Sequence, residues 1–295
     1  MLISVRPLRT RSVKDVSMSK RLIYISLALS ALFLILTCAA LWAAPKANLW
    51  ERWLVQNPES TIVVDHSPWD AFLKTYVVKS SDGINRVAYS KVTEGDKIAL
   101  ARYIDNLSKI PVSKLARSEQ LPYWINLYNA LTVQVVLDHY PIESIRDIDI
   151  SPGFFSEGPW DKKLVTIEGE EVSLNDIEHR ILRPIWRDPR IHYAINCASI
   201  GCPNLSEDAY THENTQDLLN RGAHDYINHP RGVAIEGDKL IVSSIYVWFS
   251  EDFGGTDAKI ISHLMKYAAP ILAEKLKQFN HISDNRYDWS LNDAR

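Results

Sequence analysis

Tyr123-Trp-Ile-Asn-Leu-Tyr-Asn-Ala-Leu-Thr-Val-Gln-Val-Val-Leu137 is apolar nearly all round, and its reading decides what kind of domain this chain can form. Pro122 falls in the first turn, where a missing N–H is harmless, and Pro141 follows, so the spacing predicts a helix over 119–140. A helix without a polar face has to be covered on every side and belongs at the centre of its domain. Asn126 and Asn129 interrupt it, three residues apart on one face. An unpaired buried amide costs about 1–3 kcal/mol, so both need partners. Either they bind neighbouring loop backbone, or one of them positions a substrate or a catalytic side chain.

Flanking helices precede this segment. Trp69, Phe72, Leu73 and Tyr76 recur at helical spacing after Ser67-Pro68, and Ile98, Ala101, Tyr103, Ile104 and Leu107 do so before Pro111. Beyond it, Leu164-Val-Thr-Ile-Glu-Gly169 running into Glu170-Glu-Val172 reads as a hairpin. A second hairpin spans Val233 to Val242 and turns at Gly237-Asp238. Ser173-Leu-Asn-Asp176 resembles a capping box and opens a helix that Pro184 is expected to stop. Ile191-His-Tyr-Ala-Ile-Asn196 alternates like a strand, and an amphipathic helix over about 257–279, with Pro270 inside it, closes the chain. Helices and short antiparallel hairpins without regular βαβ alternation indicate an α+β class, one domain over 45–295.

Chemistry concentrates in two places. On a helical wheel from Leu174, Glu178 lies inside the apolar stripe of Ile177, Ile181, Leu182 and Ile185, while His179 lies on its flank. A carboxylate in such a stripe must find a donor, such as Arg183 or Arg190, or become neutral and serve as a tuned acid or base. The second place is Asp188-Pro-Arg-Ile-His-Tyr-Ala-Ile-Asn-Cys-Ala-Ser-Ile-Gly-Cys-Pro203. There Cys197 is expected at a strand end, with His192 pointing to the opposite face, so that a histidine from elsewhere, His179 first, would have to be its base. Three readings of the cysteines compete: a Cys197–Cys202 disulfide around Gly201, a nucleophilic Cys197, or a metal site with His179 and His192. The last matches no standard ligand spacing, and no cofactor is called for. Four intervening residues also differ from the two of a thioredoxin-like dithiol.

The chain of 295 residues is 46% hydrophobic and 23% charged, which excludes a disordered, collagen-like or disulfide-dense protein. Residues 1–44 hold six Lys/Arg (Arg6, Arg9, Arg11, Lys14, Lys20, Arg21) and one acid, Asp15. Setting them aside from the 33 basic and 36 acidic residues of the whole chain leaves a net of −8 over 45–295, a poor match to a phosphate backbone and so to nucleic acid. The basic start, from Met1 or from Met18, precedes an uncharged run, Leu22 to Ala44, long enough to cross a bilayer core of about 30 Å. It reads as a signal peptide or as a retained anchor, with the rest exported to a periplasmic or extracellular, oxidising compartment. Cys38 lies in that leader, leaving Cys197 and Cys202 in the folded part.

Three words in order, Tyr123 to Thr132, Ser173 to Arg183 and Asp188 to Pro203, resemble those of the family catalogued as domain of unknown function 547, with flanks that extend the resemblance over about 65–270. Where members commonly begin this first word Ala-Phe-Trp, Pro122-Tyr123 precede Trp124 here. The resemblance implies an exported bacterial protein. A more distant similarity to papain-like and transglutaminase-like thiol enzymes implies Cys197 working with His179. Two expectations follow. One is a thiol hydrolase or acyl transferase on an amide, peptide-like or small-molecule substrate, with Cys197 attacking, His179 moving the proton, Glu178 or another acid orienting the ring, and Asn126, Asn129 or Asn196 positioning the substrate. The other is a non-catalytic envelope module with a structural Cys197–Cys202 disulfide, held at the membrane if the leader stays.

Overall fold

The computed structural model describes residues 45–153 and 157–295. The chain divides into Met1–Pro45 and Lys46–Arg295, and the second unit carries the fold. Expectations for the leader lie outside the described residues. Among the described residues no helix is long and apolar enough to cross a membrane.

The architecture is α+β. In chain order it runs α1 (Ser67–Tyr76), β1 (Val77–Lys79), β2 (Asn85–Val87), α2 (Glu94–Ser108), α3 (Arg117–His139), β3 (Val165–Ile167) and β4 (Glu170–Val172). There follow a π-helical turn (Asp176–Leu182) continued by α4 (Arg183–Trp186), a 3₁₀ turn (Pro189–Tyr193), α5 (Thr215–Ile227), β5 (Val233–Glu236) and β6 (Lys239–Ser243). The chain ends with α6 (Ser244–Trp248), α7 (Asp257–Tyr267), α8 (Pro270–Leu276) and β7 (Asp284–Arg286).

The apolar segment becomes α3, and every residue from Glu119 to Val133 is buried. It has no wet face, so α1, α2, the π-helical turn and the cysteine segment all close around it, forming one apolar core. A second core lies under α5, α7 and the sheet of β5, β6 and β7. Both expected hairpins are present. Glu168 and Gly169 both take positive φ between β3 and β4, and Gly237 does so between the paired ends Glu236 and Lys239, as two-residue turns require. The expected closing helix is two helices, because Pro270 cannot donate its missing N–H and opens α8 instead. β7 joins β6 in parallel, with Val242 opposite Asn285, an addition that hairpin spacing could not announce.

Two expectations are corrected. Ile191–Asn196 is not a strand: Asp188 caps a 3₁₀ turn by accepting from the Arg190 N–H, and Pro189 pre-sets its first position. Because Ile191 to Asn196 are all buried, their alternation carried no information about faces. Nor does Pro184 end its helix. Its ring would meet the Arg180 carbonyl in an α-helix and it has no N–H to donate, so the preceding turn widens, with the Arg183 N–H bonding to the Glu178 carbonyl. The carbonyls of His179 and Arg180, left without their helical donors, accept from Asn48 and Trp50 N–H at 2.9 Å each. Widening also changes which residues face inward, so His179, placed on the flank by a regular wheel, is buried beside Glu178.

Candidate functional site

Asn126 and Asn129 both engage backbone. The Asn126 amide donates to the Tyr210 carbonyl at 2.7 Å and accepts from the Tyr210 N–H at 3.0 Å. Asn129 donates to the Ala194 carbonyl at 2.9 Å and accepts from the Asn196 N–H at 2.8 Å, standing in for an adjacent strand. Asn196 continues the chain of bonds, donating to the Pro203 carbonyl at 2.7 Å and accepting from the Ala198 N–H at 2.8 Å. Asn129 and Asn196 thus hold the segment that carries the cysteines, and Asn126 holds Tyr210 beyond it, the loop-backbone alternative of the two read for Asn126 and Asn129.

That segment is strained where it matters. Ala198 takes φ 58°, a left-handed conformation that costs a residue with a Cβ about 1–2 kcal/mol. Its N–H on Asn196 and its carbonyl, which accepts from the Asn292 N–H at 3.0 Å, hold it there. The chain then turns, with the Cys202 N–H bonding to the Ser199 carbonyl at 3.1 Å. Gly201 keeps a negative φ and is needed for another reason: a Cβ there would meet the Asp288 backbone at 2.8 Å. This close approach, with Gly201 N–H on the Asp288 carbonyl at 2.7 Å, brings Tyr287 over the sulfurs.

Both cysteines are thiols, Cys197 partly exposed and Cys202 buried. The Tyr287 hydroxyl donates to Cys202 Sγ at 3.2 Å and lies 3.1 Å from Cys197 Sγ, with Ser199 Oγ 2.9 Å from the same hydroxyl. Cys202 Sγ also accepts from the Cys197 N–H at 2.9 Å. Burial works against the Cys202 thiolate, but these donors outweigh it and lower its pKa below that of a free thiol. Cys197, facing that sulfur and also desolvated, is pushed up and keeps its proton. Arg231 supplies a cation within electrostatic range of Cys202. It donates to the Ile200 carbonyl at 3.0 Å and to Asn204 Oδ1, and among the described residues it forms no ion pair.

His179 is not hydrogen bonded to Cys197. Its Nδ1 accepts from Arg183 Nη1 at 2.9 Å, which leaves the ring proton on Nε2, and burial followed by the Arg183 charge pushes its pKa well down. The imidazole is therefore a donor on its remaining nitrogen, so the expected general base for Cys197 is not assembled here. His179 belongs to a neighbouring buried network. Arg183 Nε donates to Asp252 Oδ2 at 2.6 Å, and the same oxygen bonds His192 Nε2 at 2.7 Å, which together hold Asp252 down at about 2 against its burial. Glu178 Oε1 lies 3.8 Å from Nδ1 of both His179 and His192, and Oε2 accepts from the Tyr128 hydroxyl at 3.2 Å. Burial raises Glu178 to about 7, while the Arg183 charge and Tyr128 pull in the other direction. Neither Arg183 nor Arg190 forms the expected ion pair with Glu178, since Arg183 takes Asp252 and Arg190 takes Asp188. The half-buried ring of Phe249 stacks on His192 at 4.6 Å, with the Arg183 guanidinium 4.6 Å from its centre.

Tyr287, Ser199, Tyr128, Asp252 and Arg231 were absent from the sequence reading. Ser199 alone had a local signal, two residues after Cys197; the others reach the site from distant segments. Among the described residues no group of three or more His, Cys, Asp or Glu side chains could hold a metal ion. A surface groove of about 380 Å³, lined in part by Lys79, Asn204, Arg221 and His229, has neither sulfur in its wall.

Fold and site together define an α+β domain in which two thiols share one phenol beside a buried acid–imidazole network. Residues 112–227 of this chain match the model of the family described as protein of unknown function, DUF547. The match takes in α3, the π-helical turn and both cysteines. No curated protein and no solved structure matches the chain.

Proposed function

We propose that this domain is a thiol-dependent hydrolase or acyl transferase acting on an amide or peptide-like substrate, with Cys197 as the attacking sulfur and Cys202 as holder of its proton. One observation carries this reading: a partly exposed thiol rests against a buried one that is poised as a thiolate by a backbone N–H and a phenol. In the acylation step the Cys197 proton passes to Cys202 while Cys197 Sγ forms the bond to the carbonyl carbon. The Tyr287 hydroxyl, whose proton burial retains, stands ready to donate to the developing oxyanion. Collapse breaks the bond to the leaving amine, which departs with the proton from Cys202. Water or an acceptor amine then cleaves the thioester, its proton returns to Cys197, and the resting thiol–thiolate pair is restored. Export through the leader of residues 22–44 belongs to the same proposal.

The test is turnover of a panel of peptide anilides and thioesters by the full-length protein. Cys197→Ser should lower kcat/KM by about 10³-fold or more, and Tyr287→Phe by about 10-fold, with the fold intact by circular dichroism. Undiminished turnover by Cys197→Ser would remove the proposal.

A further inference from the structure

We propose that Cys197 and Cys202 also work as an exchanging dithiol, Cys197 attacking disulfide-bonded substrates and Cys202 resolving the mixed disulfide. This activity shares with the proposed function only the reading of Cys197 as the accessible sulfur, and it needs no carbonyl chemistry.

Dithiol exchange makes three geometric demands, and the site meets each. One sulfur must be reachable while its partner is shielded; Cys197 is partly exposed, and Cys202, at 4% exposure, is screened from a bulky substrate. The second sulfur must reach the first without rearrangement of the fold. The Ser199–Cys202 turn accomplishes this, setting Cys202 Sγ 2.9 Å from the Cys197 backbone nitrogen and both sulfurs on one phenol oxygen. Tertiary contacts thus bring together two cysteines whose sequence spacing is wider than in thioredoxin-like motifs. Finally, the departing thiolates need donors, and the hydroxyls of Tyr287 and Ser199 lie beside Cys197 Sγ at 3.1 and 3.3 Å. The titratable groups facing the pair are the phenols of Tyr89, Tyr128, Tyr226 and Tyr287, the Arg231 cation and the Glu178 carboxyl.

The electron count closes on the substrate. Cys197 Sγ attacks one sulfur of the substrate disulfide as its proton passes to the Cys202 thiolate; the S–S bond breaks, and the other half leaves as a thiol with that proton from Cys202. Cys202, again a thiolate, then attacks Cys197 Sγ and releases the second half as a thiolate, which takes its proton from solvent. The pair therefore supplies one proton and water the other. The substrate gains two electrons, and the protein is left with a Cys197–Cys202 disulfide that a small-molecule thiol reductant returns to the dithiol.

The probe is glutathione disulfide, applied to the full-length protein in a Cys38→Ser background, quenched with a maleimide and read by intact mass. The expected product is a protein two hydrogens lighter with no glutathione attached. Cys202→Ser should accumulate one glutathione on Cys197, and Cys197→Ser should react at least about 10-fold more slowly than either. Accumulation of the mixed disulfide on the Cys202-containing protein, or equal reactivity of Cys197→Ser, overturns the proposal. Cys202→Ala, with circular dichroism, separates loss of resolution from loss of fold. Exchange can fail this test while amide or thioester turnover survives, and the reverse.

Discussion

A single amide shows how the site is held. Asn129 presents one donor and one acceptor to the backbone of Ala194 and Asn196 from the middle of a helix that has no wet face. Leucine fits the apolar surroundings but leaves a buried carbonyl and a buried N–H without partners. Asn129→Leu should therefore destabilise the fold by about 2–5 kcal/mol, read as a lower urea midpoint at unchanged slope. A change within about 0.5 kcal/mol would mean that those two groups find water instead. The three asparagines were legible from sequence as polar residues in apolar settings. Which partners they take was not, because the partners, from Ala194 to Tyr210, are brought near only by folding.

At the scale of elements, Pro184 shapes the helix that carries the acid and the imidazole. By denying Arg180 its α-helical donor it widens the turn, turns Glu178 and His179 inward together, and frees two carbonyls for Asn48 and Trp50. Pro184→Ala restores an N–H at this position and removes the steric obstacle to an α-helical register. The Asn48 and Trp50 amides should then lose acceptors, and their hydrogen exchange should accelerate by about 10-fold or more. Unchanged exchange would show that the wide turn is imposed by its surroundings. Helix start, proline and apolar stripe could all be read from the sequence. The widened register could not, since it depends on outside donors taking up the abandoned carbonyls. The 3₁₀ turn at Pro189–Tyr193 makes a related point, as burial on all sides erases the link between alternation and strand.

Across the whole molecule the buried charges set a pH response. Glu178 titrates at about 7 when folded, above the 4.5 of a free carboxyl, so the native state holds the extra proton between those values. Its contribution to stability is complete below about pH 4.5 and is lost as pH rises through 7, by on the order of 3 kcal/mol. Asp252 acts in the opposite sense: held at about 2, it contributes above its ordinary 3.8 and loses that contribution as pH falls through 2. Glu178→Gln mimics the protonated acid. Its stability relative to the unsubstituted protein should be near zero at pH 5 and favourable by pH 8, measured by urea unfolding across that range. A difference that stays constant with pH would show that Glu178 does not titrate there.

What the sequence determined by itself is what local chemistry can dictate: a central apolar helix, the capping box, both hairpins, the α+β class, and the few polar residues placed where apolar ones belong. Tertiary structure alone decided how the candidate site is assembled. It bonded His179 Nδ1 to Arg183, and it brought Tyr287 from a parallel strand end, past a glycine without a side chain, onto both sulfurs. The division follows from range. Propensity, capping and hydrophobic period act over a few residues, whereas the partners of a buried polar atom are chosen by whichever distant segments the core brings within about 3 Å.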